Sequence, residues 1–198
     1  EVSAQGVSTF GAVAGTNNAY RFANGTSAAT PIASGVAALL LSAHPHLKNT
    51  QIRSIILESA SNSSNPNNQI GYGIISANDA IEFPNLENVN NQYILHKTFL
   101  AENLIANSVS IVFQVADDML EAIPITKSGD YEYTYTFPLK NNGDLVEFMI
   151  VYSDSQNNNY TLPQSGKFKF NYGSDIISLN LDVPSLPNYD DVSDRYSI

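Results

Sequence analysis

The sequence N-G-T-S-A-A-T-P-I-A-S-G at residues 24–35 continues directly into V-A-A-L-L-L at residues 36–41. Small and apolar residues predominate, so we predict a helix over residues 27–43 that stops at Pro45. Apolar residues cover more than one face of this helix, which is typical of a helix inside a larger domain. The stretch therefore predicts a buried helix, around which the first part of the chain is organised.

The residues before this helix predict a site for chemistry. Gly25 and Thr26 can form a tight turn that leaves the Ser27 hydroxyl beside the free N–H groups of the first helical turn. The positive end of the helix dipole favours negative charge there, as a developing oxyanion requires. Pro31 falls within the first turn, where its missing N–H costs least.

These residues resemble those of a known family. The runs G-T-S-A-A-T-P (residues 25–31), G-V-A-A-L (35–39) and His44-Pro45 are similar to the nucleophile region of the subtilisin-like serine proteases. Residues 2–7 resemble the loop before the last substrate-side strand of that domain, and residues 71–77 resemble its closing segment. The resemblance covers about residues 1–83.

The resemblance implies a fold and a function. The fold is the C-terminal part of an α/β domain with a parallel sheet, and the reaction is peptide-bond hydrolysis through an acyl-enzyme on Ser27. The N–H of Ser27 forms part of the oxyanion hole, while Gly25, Thr26 and Pro31 support the nucleophile turn. The partner is a polypeptide substrate, and we expect neither a cofactor nor a catalytic metal.

A serine nucleophile needs a base within hydrogen-bond reach, and the chain has three histidines. His44 and His46 follow the predicted helix, about 25 Å from its start at roughly 1.5 Å per residue. We interpret them as polar residues near the negative end of the helix dipole, and His96, beside Lys97, as a surface residue. By the order of the triad in the family, we expect the acid, the histidine and the oxyanion asparagine upstream of Glu1, in a further part of the same catalytic domain.

Charge and composition divide the chain. The net charge is −10, of which residues 1–83 contribute −1 (four acids, three bases) and the remainder −9 (fifteen acids, six bases). No basic stripe is present, which argues against nucleic acid as a partner. The chain has no cysteine, and no apolar run approaches the ~20 residues of a membrane span. The composition change predicts a domain boundary and an Asn-rich linker at residues 84–92.

Beyond that linker the apolar pattern has a period of two. Alternation predicts strands over residues 109–115, 131–137, 146–152, 168–172 and 177–181, with an edge strand at residues 93–100. This pattern predicts an antiparallel β-sandwich over residues 93–184, with a flexible tail at 185–198. The region resembles the immunoglobulin-like or fibronectin type III modules of secreted bacterial proteases, which implies a secreted or cell-surface protein.

Three acidic groups offer the oxygen ligands that Ca²⁺ takes: Asp117-Asp118, Asp154 to Asn159, and Asp190-Asp191 with Asp194. None has the spacing of a known calcium loop, so we favour solvated turns over a structural calcium site. The stripe of Tyr131, Tyr133 and Tyr135 is interpreted as one face of a sheet rather than as a polymer-binding surface.

Two functions remain open at this stage. The leading hypothesis is a serine endopeptidase, of which this chain carries the nucleophile and which is inactive without its upstream acid and base. The alternative is a non-catalytic scaffold or adhesive protein built on a decayed protease domain.

Overall fold

The computed structural model describes residues 1–115, 121–175 and 179. Its three α-helices all lie in the first part of the chain: α1 (Thr26–Ala43), α2 (Asn49–Glu58) and α3 (Ala77–Glu82). The predicted helix over residues 27–43 is confirmed to within one residue at its ends. Val36 and Leu40 on one face of α1 pack with Ile55 of α2 and Ala80 of α3 in a small apolar core.

Two expectations about α1 need correction. Pro31 is the sixth residue of the helix rather than a first-turn residue, so it is the carbonyl of Ser27, four positions earlier, that lacks its helical N–H partner. The helix is also not enclosed, because Leu39 is 54% exposed and Leu41 43% exposed. Of the described helices, α2 and α3 pack on the face of α1 that carries Val36 and Leu40.

The first two strands form an exposed antiparallel hairpin instead of part of a parallel sheet. β1 (Thr9–Ala12) pairs with β2 (Tyr20–Ala23), and the aromatic ring of Phe10 packs on those of Tyr20 and Phe22. A short connection between strands allows antiparallel pairing, whereas a parallel pair needs a long crossover. Within the described ranges the only parallel contact is the single bridge between Ser3 and Ile74.

The predicted linker at residues 84–92 is wrong as a description of local structure. β3 (Asn85–Val89) occupies it and pairs with β4 (Gln92–Thr98) through a tight turn. Asn90 and Asn91 adopt positive φ angles of 52° and 66° in that turn, which asparagine tolerates better than most residues. An Asn-rich composition therefore marks a hairpin turn here. The division of the chain into domains stays a prediction.

The remaining strands complete two antiparallel sheets. They are β5 (Ser110–Val115), β6 (Glu121–Pro124), β7 (Thr126–Lys127), β8 (Glu132–Thr136), β9 (Leu145–Ser153), β10 (Asn159–Leu162) and β11 (Phe168–Asn171). One sheet has the order β3-β4-β8-β7; the other has the order β10-β9-β5-β6, with β11 also paired to β9. A short 3₁₀ helix, Ala106–Ser108, precedes β5.

Buried residues from both sheets form a single apolar core. Leu95 and Tyr133 enter it from the first sheet, and Ile111, Phe148 and Phe170 enter it from the second. β4 is an interior strand, because it pairs with β3 on one side and with β8 on the other, so the expectation of an edge strand there is wrong. The predicted strand at 177–181 and the tail at 185–198 lie outside the described residues, apart from Leu179, which is buried in this core.

The helical part and the strand-rich part are in contact. Phe83 packs against the apolar cores of both parts. The Gln51 side chain of α2 donates a hydrogen bond of 2.9 Å to the Leu86 carbonyl in β3. Lys97 of β4 is 2% exposed, and its ammonium donates to the carbonyl oxygen of Glu82 at the end of α3. Lys97 is therefore a buried junction residue, and its charge did not mark His96 as a surface residue.

Candidate active site

Ser27 is the second residue of α1, and its side chain is exposed to solvent. Gly25 immediately precedes the helix with φ 128° and ψ 163°, a backbone conformation that residues with a Cβ atom rarely adopt. A Cβ atom at Gly25 would lie 3.4 Å from the Ser27 hydroxyl oxygen. The glycine thus permits the sharp entry into the helix and leaves space beside the hydroxyl.

The turn before Ser27 is fastened to the start of the chain. The Gly25 N–H donates a hydrogen bond of 2.7 Å to the Gly6 carbonyl, and the Asn24 side chain accepts one of 2.7 Å from the Ser8 N–H. The backbones approach closely, since a Cβ atom on Gly6 would lie 3.0 Å from the Gly25 oxygen. These contacts fix where the first turn of α1 points.

The first two N–H groups of α1, those of Thr26 and Ser27, differ from the next two in having no hydrogen-bond partner among the described residues. The Ala28 and Ala29 N–H groups both donate to the Gly25 carbonyl, at 3.0 and 3.3 Å. In the part of the chain that the structure describes, no hydrogen bond is made by the N–H of Thr26 or Ser27. These groups lie at the positive end of the helix dipole, where an anionic oxygen is stabilised.

The segment expected to close the domain packs on the first residues of the chain. Tyr72 N–H donates to the Glu1 carbonyl at 2.7 Å, and Ser3 N–H donates to the Gly73 carbonyl at 2.8 Å. Gly71 has φ 59°, and a Cβ atom there would lie 2.2 Å from the Glu1 carbonyl oxygen. The glycine is therefore required for this close approach.

No histidine lies near Ser27, because all three form one cluster beyond the other end of α1. His44 is 1% exposed, and its Nε2 lies 3.0 Å from the Ile81 carbonyl. Burial lowers the pKa of His44 and also that of His46, whose Nε2 lies 2.7 Å from the Asn85 side-chain oxygen. Our interpretation of the two as polar residues at a helix end missed their burial.

His96 is also not a surface residue. Its side chain is 13% exposed and lies between two carboxylates, with Nδ1 2.9 Å from Glu132 and Nε2 3.3 Å from Glu87. Its ring stacks on that of His46, with centroids 4.3 Å apart. No local sequence pattern indicated this cluster, because pairing in the β3–β4–β8 sheet brings His96, Glu87 and Glu132 together.

Only one of the three acidic groups considered for calcium lies within the described residues. Asp154 accepts hydrogen bonds from the Gln156 N–H, from the N–H and side-chain amide of Asn158, and from the Tyr160 hydroxyl. The Asn158 side chain is the largest cause of a lowered pKa for this carboxyl. Its oxygens thus organise a turn in which Asp154 itself is only 5% exposed, so the carboxylate is not the solvated group that we expected. The groups at residues 117–118 and 190–194 lie outside the described residues.

The tyrosine stripe is not one exposed surface. Tyr133 is 2% exposed and packs edge-on against Phe99, and Tyr135 packs against the same apolar core. Tyr131 is 55% exposed. Burial of the central ring leaves no row of adjacent exposed tyrosines for a polymer.

Ser27 thus lies exposed in the first turn of a helix, two residues after a glycine whose backbone conformation few other residues adopt. Residues 1–73 match the family model for the Subtilase family, peptidase S8. Residues 1–73 are therefore similar to a segment of the subtilase family.

Three curated relatives align with this chain. It is 40% identical over 62 residues to the halolysin-like extracellular serine protease Nep of Natrialba magadii, covering 31% of this chain and 12% of that protein. It is 40% identical over 80 residues to alkaline elastase YaB of Bacillus sp. (strain YaB), covering 40% of this chain and 20% of that protein. It is 42% identical over 60 residues to the subtilisin-like protease SBT3.17 of Arabidopsis thaliana, covering 30% of this chain and 8% of that protein. The chain therefore spans a fifth or less of the length of these relatives.

Among solved structures, the chain aligns with a carbohydrate-binding module family 56 β-1,3-glucan binding domain at 13% identity and a TM-score of 0.36. That alignment covers 44% of this chain and 95% of the other. A TM-score of this size supports no conclusion about fold or ligand.

By length and composition alone, α1 is the one helix in the described residues that could cross a membrane. The core helix of a soluble protein has the same composition, and α1 lies within the segment that matches the subtilase family.

Proposed function

We propose that residues 1–83 carry the nucleophile of a serine endopeptidase, and that Ser27 is the attacking residue. The observation that supports this most is the exposed Ser27 hydroxyl in the first turn of α1, directly after Gly25 at φ 128°. This turn lies inside the segment that matches the subtilase family. The substrate class is polypeptide, as for other members of that family.

In the proposed reaction the Ser27 oxygen attacks the carbonyl carbon of a peptide bond, and a base takes the hydroxyl proton. The carbonyl oxygen becomes negatively charged and accepts a hydrogen bond from the open Ser27 N–H. The C–N bond then breaks, the amine leaves with the proton, and an acyl-enzyme remains. Water hydrolyses this ester and restores the serine. Gly25 and Thr26 position the hydroxyl, and Pro31 leaves the Ser27 carbonyl without a helical partner.

The base and its orienting acid come from outside this chain in our proposal. The three histidines are grouped beyond the far end of α1, and His44 itself is buried against Ile81. We infer that a further part of the same catalytic domain supplies the histidine, the acid and the second oxyanion donor. The 198 residues alone then do not hydrolyse peptides. Secretion is proposed from the extracellular relative.

For the second part of the chain, we propose a β-sandwich module over residues 93–184 appended to the protease segment. Its support is the pair of antiparallel sheets that bury Leu95, Tyr133 and Phe148 in one core. β3 (Asn85–Val89) is paired with this module and belongs with it.

The test is Ser27→Ala in the intact parent enzyme, with hydrolysis of a fluorogenic peptide as the readout. We expect kcat to fall about 10⁶-fold, the loss known for the nucleophile of a subtilisin. Ser34→Ala is the matched control, since Ser34 is an exposed serine of the same helix that donates only to the Thr30 carbonyl. An unchanged rate in Ser27→Ala would contradict the proposal. A parent protein with no peptidase activity at all would favour the scaffold alternative.

A further inference from the structure

We propose that His46, Glu87 and His96 bind one divalent transition-metal ion, with Zn²⁺ as the best fit, where α1 ends against the β3–β4 hairpin. This inference is independent of the role of Ser27. It leaves our expectation of no catalytic metal unchanged, because the ion would be a structural one.

The three side chains bring one donor atom each into the same small region. One ligand atom of each residue lies within 4.8 Å of the other two, and all three residues are partly buried. His96 Nε2 and Glu87 Oε2 are 3.3 Å apart, which is long for a hydrogen bond. Two ligands of a tetrahedral Zn²⁺ at about 2.0–2.1 Å from the ion are about 3.3 Å apart, so this pair already has the spacing of two ligands. The widest separation has to close by at most about 1.5 Å to match.

The types of ligand select the ion. Two imidazoles and one carboxylate form a nitrogen-rich set that suits Zn²⁺ and its neighbours in the first transition row. Ca²⁺ and Mg²⁺ prefer six or more oxygen ligands, which this cluster does not supply. The Glu87 carboxylate also offsets part of the charge of the ion, which lowers the cost of holding it in a partly buried place.

A neighbouring side chain contacts one nitrogen of each ring, and the stacked rings would have to rotate for both free nitrogens to reach one ion. Glu132 Oε1 lies 2.9 Å from His96 Nδ1, so with an ion bound Nδ1–H would donate to this carboxylate and the Nε2 lone pair would be available to the ion. Asn85 Oδ1 lies 2.7 Å from His46 Nε2, which in the neutral ring leaves the lone pair on Nδ1. A carboxylate or amide behind a histidine in this way is the usual support of a metal ligand, since it fixes the tautomer and the ring plane.

A cavity gives the ion a route in. It has a volume of about 310 Å³ and is lined by His46 and Glu87 together with Lys48 and Asp175. Lys48 and Asp175 pair with each other at 3.1 Å, so the lysine charge near the entrance is largely offset. This space also admits a water molecule as the fourth ligand that three protein ligands require.

The position of the site gives it a structural role. His46 belongs to the segment between α1 and α2, whereas Glu87 and His96 lie on β3 and β4. A bound ion would therefore join the subtilase segment to the strand-rich part. Because binding is linked to the folded state, the ion would raise the thermal stability of the chain.

The test uses the full 198-residue chain without a histidine tag, stripped of metal with a chelator and titrated with zinc chloride by calorimetry. We expect one ion per chain and a rise in melting temperature on adding zinc chloride. Glu87→Gln should weaken binding at least 100-fold, and Glu132→Gln, behind His96, should weaken it about 10–100-fold. Glu102→Gln, an exposed glutamate away from the cluster, is the matched control and should change the affinity less than twofold.

Cobalt chloride provides a measurement on the unchanged chain, in case a variant does not fold. Co²⁺ in a four-coordinate site with nitrogen ligands should give visible absorption far stronger than that of six-coordinate Co²⁺. Two results would overturn the proposal: no binding of zinc chloride to the stripped chain at 100 μM, or binding that Glu87→Gln leaves unchanged. In either case the cluster is only a set of hydrogen bonds between His96 and its two glutamates.

Discussion

Ser27 and His44 lie at opposite ends of the same helix. Ser27 is in the first turn of α1, and the N–H of His44 caps the last turn by donating to the Leu40 carbonyl at 2.9 Å. At roughly 1.5 Å per residue, the helix holds them about 25 Å apart. Rigid backbone separates the candidate nucleophile from the nearest histidine in sequence, so this chain cannot pair the two.

The first prediction concerns the reactivity of Ser27. In the isolated 198-residue chain, a fluorophosphonate should label Ser27 no faster than it labels free serine, because no base within the chain reaches the hydroxyl. Peptide mass spectrometry of the labelled chain measures this. Rapid and selective labelling of Ser27, absent when Ser27 is alanine, would show that the base lies within these residues.

The second prediction concerns the turn before the helix. Gly25→Ala should destabilise the chain by about 1–3 kcal/mol, because φ 128° with ψ 163° is strained for a residue with a Cβ atom. Urea unfolding followed by circular dichroism measures the change. Gly35→Ala is the control: Gly35 lies inside α1 with open space around its Cα, so alanine should stabilise by about 0.5–1 kcal/mol. Equal effects of the two changes would contradict our account of the turn.

The third prediction is a pH dependence from Glu58. Burial raises the pKa of this carboxyl from 4.5 to about 8, and one of its oxygens has no hydrogen-bond partner among the described residues. The folded state then binds more protons than the unfolded state between pH 4.5 and 8, so stability should fall as the pH rises through that window. The slope from this group is at most about 1.4 kcal/mol per pH unit.

Glu58→Gln should remove that slope, because glutamine does not titrate. Urea unfolding at intervals from pH 5 to pH 8 measures it, and Glu102→Gln serves as an exposed control. If the variant keeps the full slope of the unchanged chain, Glu58 is not the titrating group.

The fourth prediction concerns Lys97 at the junction. Burial lowers the pKa of its ammonium from 10.5 to about 8, although that ammonium donates 2.6 Å to the Thr98 carbonyl and lies 4.1 Å from the Phe99 ring centre. Between pH 8 and 10.5 the unfolded state binds more protons, so stability should rise with pH in that window.

Lys97→Met keeps an unbranched side chain of similar length and should abolish this rise. Chemical unfolding between pH 8 and pH 10.5 is the measurement, with Lys127→Met as the exposed control. A rise that survives in Lys97→Met would assign the effect to another group.

Local features of the sequence were sufficient for several elements. Small and apolar residues predicted α1 to within one residue at its start, and a period of two predicted β5, β8, β9 and β11. The Asn-rich composition of residues 84–92 led us to predict a linker, but the asparagines there form a turn between paired strands. Five short strands, β2, β3, β6, β7 and β10, escaped prediction, because little alternation can be read from so few residues.

By itself, the sequence determined the position of α1, the glycine turn before it and the place of Ser27 in its first turn. These features depend on contacts between residues close in the chain. It could not place the histidines. His44 and His46 look like the polar end of a helix, and His96 looks like an exposed strand residue. Only the tertiary structure stacks His96 on His46 and puts Glu87 beside them, because that arrangement depends on the pairing of β3 with β4 and on its packing against the end of α1. Side-chain burial and donor distances follow from contacts between residues some forty to fifty positions apart, which no local pattern encodes.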